Sequence, residues 1–167
     1  MIDMRRFQSG SPVPSRQALE KTCLIIEENL DEMRALAAEA SRAKNLKGSE
    51  DKRRLLLMAG LFFDFYLLAE DCFLQIARSV DLWIPGSLDW RRRLIGLMRV
   101  AIPDKRPPLL SPRTADLLDD FLILCLNFHR HSSALSAEKM EKMAGSVEEL
   151  YELLENDLGG FKRLFRF

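Results

Sequence analysis

Apolar side chains recur at intervals of three and four along most of this chain, which is the period of an α-helix with one face turned inward. Leu19, Cys23, Ile26, Leu30, Met33, Ala37 and Ala40 form one such seam, predicting a helix of about seven turns that opens near Ser15. The stretch Lys44-Asn45-Leu46-Lys47-Gly48 ends it on a glycine stop. Ser49, with Glu50 and Asp51 behind it, suits the N-terminus of a second helix running to about Val80. That helix carries Leu57, Leu61, Phe62, Phe65, Leu68, Ala69, Cys72, Phe73 and Ile76, apolar around most of its circumference, as expected for the centre of a bundle.

Trp83-Ile84-Pro85-Gly86 is a turn, and Ser87 is positioned to cap a short third helix ending about Val100. Pro103, Pro107 and Pro108 make Ile102–Leu110 an ordered, non-helical loop. Ser111-Pro112, a cap followed by proline at the first helical position, opens a fourth helix to about Ser132, with Leu117, Leu118, Phe121, Leu124, Cys125 and Phe128 inward. Ser136 and Glu138 start a fifth, with a seam of Met140, Met143, Val147, Leu150, Leu154 and Leu158. Gly159-Gly160 is expected to end it, leaving Phe161–Phe167 as a basic, aromatic tail. The reading is all-α, a bundle of about five helices: a flexible segment over 1–14, then one helical domain over 15–167.

Composition supports a packed domain and removes several functions. Hydrophobic residues make up 47% of the 167 positions, enough for a full core. Basic and acidic residues balance at 25 each, so polyanion binding requires a local patch. One stretch qualifies: Arg91, Arg92 and Arg93, followed by Arg99, Lys105, Arg106 and Arg113, is a candidate phosphate-facing run. Cys23, Cys72 and Cys125 lie among apolar neighbours without C-x-x-C spacing, which fits reduced core thiols in a cytoplasmic protein. Met1–Pro14 lacks the apolar core of a secretory signal, and no apolar run reaches the length of a membrane span. Gly-rich phosphate loops, E-x-x-H, H-E-x-x-H and zinc spacings are absent, so no metal or other cofactor is expected.

Two polar features remain. Both histidines fall in Asn127-Phe128-His129-Arg130-His131-Ser132; His131 could act as acid or base, or be a solvated side chain near a helix end. Asn127 lies four residues before it, on the same helix face. Asp64, Tyr66 and Glu70 interrupt the apolar second helix, where an unpaired buried carboxylate would cost several kcal/mol. Such a carboxylate must face solvent or find an arginine or histidine on a neighbouring helix.

The run Gly60-Leu61-Phe62-Phe63-Asp64-Phe65-Tyr66-Leu67-Leu68-Ala69-Glu70-Asp71-Cys72-Phe73 resembles the "hDFYtgiEriF" helix of the HepT-like HEPN proteins. The landmarks that follow come in a similar order: Trp90 after a Pro-Gly turn, Leu97-Met98, Arg106-Pro107, Ser111 and Thr114, Arg130-His131, then Asp157-Leu158 and Phe161. The likeness spans about Leu55 to Phe165. It implies a HEPN helical bundle that dimerises, with paired sites at the dimer cleft, in ribonuclease toxins that cut RNA without a metal. It also implies a nucleotidyltransferase antitoxin as partner, which adenylylates a motif tyrosine.

The family motif is Arg-x(4–6)-His-x-Tyr on the fourth helix. Here His131 takes the histidine place, but the arginine places hold Leu126, Cys125 and Leu124, and Ser133 replaces the tyrosine. The resemblance therefore carries His131, Asp64 and Glu70 as catalytic candidates, supported by Tyr66, Asn127 and Arg130. It points to a toxin–antitoxin or defence component with ribonuclease activity weak or lost. Two alternatives stay open: an active metal-independent endoribonuclease using His131, with Arg130 or an arginine of 91–93 on the phosphate, and a helical protein-interaction module without a nucleic-acid role.

Overall fold

The computed structural model describes residues 14–46, 52–83, 86–128 and 136–165. Five α-helices and one π-helical turn make up its secondary structure, with no β-strand among the described residues.

Helix α1 (Arg16–Lys44) begins where the pattern places it: Ser15 caps it, its hydroxyl accepting the Ala18 N–H at 3.1 Å. Its seam buries Leu19, Ile26, Leu30, Met33, Ala37 and Ala40, while Cys23 is half-buried. The cap expected at Ser49 lies outside the described residues. Arg54, from the first turn of α2 (Lys52–Ile76), reaches back to the C-terminal end of α1, donating to the Lys44 carbonyl at 3.0 Å. A guanidinium there satisfies otherwise unpaired carbonyls at the negative end of the helix dipole. Helix α2 is central, as its all-round apolarity requires, and packs against α1, α4 (Pro112–Phe128) and α5 (Ala137–Leu164). Leu57, at its N-terminal end, is the exception, 45% exposed.

The chain leaves α2 through a π turn, Ala77–Asp81, and Leu82 ends it in the left-handed region at φ 59°. The wider winding departs from the plain helix expected to about Val80. Asp81, its last residue, is clamped by Arg106: Nε to Oδ1 at 2.9 Å and Nη2 to Oδ2 at 2.7 Å, both side chains almost fully buried. The remaining Arg106 donors reach the carbonyls of Val100, Pro107 and Leu97. All five N–H groups of the guanidinium are thus satisfied, which makes burial of the charge tolerable.

Helix α3 is shorter than its pattern suggests, Trp90–Met98, with Asp89 rather than Ser87 at its N-terminal boundary. Helix α4 (Pro112–Phe128) begins as expected, Ser111 Oγ accepting the Thr114 N–H at 3.2 Å. Asp157 of α5 completes that end, taking the Ser111 N–H at 2.9 Å and the Thr114 hydroxyl at 2.6 Å on one oxygen. The side chain of Phe128 and residues 129–135 lie outside the described part.

Helix α5 (Ala137–Leu164) is capped by Ser136 and corrects one expectation, because it continues through Gly159-Gly160 rather than stopping there. Two helical glycines disfavour the helix by roughly 1 kcal/mol each relative to alanine. Tertiary packing outweighs that: Phe161 is 2% exposed in the core and meets the Phe165 ring at 4.8 Å between centroids. Phe161 to Phe165 is therefore the end of a packed helix instead of a tail.

Candidate functional site

Tyr66 and Glu70 are one turn apart on α2, so their side chains share a face. That face turns toward α3 and α4, and both residues are buried, 1% and 5% exposed. Helix α3 is laid against this surface by its own short apolar seam, Leu94, Ile95 and Met98. Its second residue, Arg91, thereby comes over Glu70, with Nε 2.8 Å from Oε2. The guanidinium carbon sits 4.9 Å from the centre of the Trp90 ring, and 38% of the Arg91 side chain stays exposed.

These groups border a recess of about 170 Å³ lined by Phe63, Tyr66, Leu67, Arg91, Cys125 and Leu126. Its electrostatics follow from burial. Desolvation raises the Glu70 carboxyl above its ordinary value, against the hydrogen bond from Arg91. Burial and then the Glu70 charge hold the Tyr66 phenol far above its usual range. The Cys125 thiol is pushed up to about 12, first by burial and then by Glu70. Near neutral pH neither the phenol nor the thiol is a nucleophile or base. Among the described residues the recess offers one half-exposed guanidinium to an anion.

The sequence candidates separate accordingly. Tyr66, Glu70 and Arg91 come together; Asp64 is exposed on α2 and Asn127 is exposed near the end of α4. Arg92 projects to solvent, and Arg93 is paired with Asp89 four residues earlier at 3.0 Å. His129, Arg130, His131 and Ser133 lie outside the described residues. The basic run of 91–113 does not form one phosphate-facing surface. Arg106 is buried on Asp81, Lys105 donates to the Asp81 carbonyl at 3.0 Å, and Arg113 forms a forked pair with Glu149. No group of three or more His, Cys, Asp or Glu side chains is placed to hold a metal among the described residues.

Sequence reasoning did not connect Glu70 with Arg91, nor assign Cys125 and Leu126 to the recess wall. The signal for the first was present, since a carboxylate on an apolar face demands a cation. Which cation supplies it depends on where α3 is laid down.

A family model described as HepT-like protein matches residues 57–165, well over half of the chain. The chain belongs to the HepT-like family. The HepT-like match begins within α2 and ends at the close of α5, leaving α1 outside it. Two landmarks of the HepT-like resemblance have structural roles, Arg106 on Asp81 and Asp157 at the start of α4. No curated protein and no solved structure matches the chain. No helix among the described residues is long and apolar enough to cross a membrane.

Proposed function

We propose that this HepT-like protein is a component of a toxin–antitoxin or defence pair that binds RNA, a nucleotidyltransferase partner, or both, with ribonuclease activity weak or lost. One observation carries the reading: the family match covers 57–165, yet Leu124, Cys125, Leu126 and Ser133 stand where the motif has its arginine and tyrosine. Without the motif arginine in its place on the histidine's own helix, cleavage loses several kcal/mol of transition-state stabilisation. The protein is proposed to act as a cytoplasmic homodimer. Ile123, apolar and 41% exposed on α4, supports a partner on that face.

The half-exposed Arg91 favours a second reading, in which the protein is an active metal-independent endoribonuclease and His131 handles the proton. Incubating purified protein with labelled RNA in EDTA, beside His131→Ala, decides between them. Retention without cleavage is the expected result. Cleavage by wild type alone would establish the nuclease, and neither cleavage nor retention would overturn RNA binding and leave a protein-interaction module. Light scattering that finds a monomer at tens of micromolar would remove the homodimer.

A further inference from the structure

Among the described residues Arg91 donates a hydrogen bond through Nε alone. Its terminal nitrogens, Nη1 and Nη2, have no hydrogen-bond partner among the described residues, and they belong to a side chain that lines an open recess. A guanidinium fork matches the geometry of a phosphate and is always charged, and one already held by a carboxylate and stacked on an indole loses little entropy on binding. Aromatic neighbours complete the setting. Phe63 and Tyr66 line the recess wall, and the Trp90 ring lies against the guanidinium.

The recess also has a particular address. Two of its wall residues, Cys125 and Leu126, are positions from which the family motif would project its arginine. The α4 backbone here presents a thiol and an isobutyl group, and the guanidinium enters the same space from α3.

We propose that Arg91 is the phosphate ligand of this protein, supplying from α3 the guanidinium that α4 lacks, and that the ligand it takes is a phosphodiester of single-stranded RNA. The assignment rests on the RNA-binding reading above. It also distinguishes among the three arginines. Arg93 is tied to Asp89, and Arg92 is exposed and does not line the recess.

The test is fluorescence anisotropy with a labelled single-stranded RNA oligonucleotide in EDTA over a range of salt concentrations. Arg91→Ala is expected to weaken binding roughly tenfold, the scale of one charge-assisted hydrogen-bonded contact. Its log affinity against log salt should be shallower by about 0.7, one phosphate contact fewer. Arg92→Ala should change affinity less than about twofold. Arg91→Lys keeps the charge but not the fork, so it should bind at intermediate strength with the wild-type salt slope. It also serves if Arg91→Ala does not fold. The decisive variant adds Leu126→Arg to Arg91→Ala, returning a guanidinium to the recess from α4, and is expected to recover most of the lost affinity. Wild type that binds RNA while Arg91→Ala binds equally well would overturn this site alone. Wild type that binds no RNA would overturn the RNA-binding reading, and the site with it.

Discussion

The Glu70 carboxylate and the Arg91 guanidinium, 21 residues apart in the chain, meet at 2.8 Å where α2 and α3 touch. One partner is nearly buried and the other 38% exposed. The pair therefore offsets part of the cost of a carboxylate on an apolar helix while leaving a cation at the surface. The same contact gives α3 its registry against α2.

Burial raises the Glu70 carboxyl despite Arg91, so the folded protein holds a proton there more tightly than the unfolded chain. Its contribution to stability is complete below the ordinary carboxylate value and is lost as pH rises through the raised one. Glu70→Gln has no such dependence. The stability of wild type relative to Glu70→Gln should fall over the pH interval that opens near about 4 and extends through the raised value. Urea midpoints across that interval measure it, and a difference that stays level or grows with pH contradicts the account.

Asp81 and Arg106 form a nearly dry pair that joins the end of the π turn to the 102–106 loop. Removing one partner strands a buried charge, so Asp81→Ala should cost about 3–5 kcal/mol. Adding Arg106→Met to it should return part of that loss. Denaturant unfolding of the three proteins checks this, and a double variant less stable than Asp81→Ala would refute the argument.

Asp157 accepts the Ser111 N–H and the hydroxyl of Thr114, which is fully buried. Asp157→Ala leaves both donors without that acceptor at the start of α4 and should cost about 2 kcal/mol. Asp157→Asn keeps an acceptor oxygen and should cost less. Thermal melts rank the two, and equal losses would show that the hydrogen bonds are not the reason for the effect.

Gly159 and Gly160 lie inside α5, where an added Cβ meets only the flexible end of Arg163, at 3.4 and 3.8 Å. Each change to alanine should stabilise by roughly 0.5–1 kcal/mol, because the unfolded chain loses freedom and the helix loses no contact. A lower melting temperature for Gly159→Ala would mean that Arg163 cannot yield.

Helix content was legible because burial imposes its period on the residues themselves. The seam of α1, the caps Ser15, Ser111 and Ser136, and the proline-rich loop after α3 all follow from local chemistry. The errors fall where distant packing overrules local preference. Gly159-Gly160 reads as a stop and becomes helix because Phe161 and Phe165 pack beyond it. Ser87 is a plausible cap, yet α3 begins at Trp90, the residue beneath the Arg91 guanidinium.

The candidate site divides in the same way. Asp64, Tyr66, Glu70 and the arginines of 91–93 stand out in the sequence as polar groups in unexpected company. Their differing fates, one exposed carboxylate, one buried and paired, and three arginines in three environments, depend on the angles at which helices cross. The sequence alone determined that this chain forms amphipathic helices, that it resembles the HepT-like family, and that its fourth helix lacks the motif arginine. Only the tertiary structure brought a different arginine to that place. A helical period specifies which face is buried but not which neighbour it meets, and Arg91 reaches the recess through contacts between residues far apart in the chain.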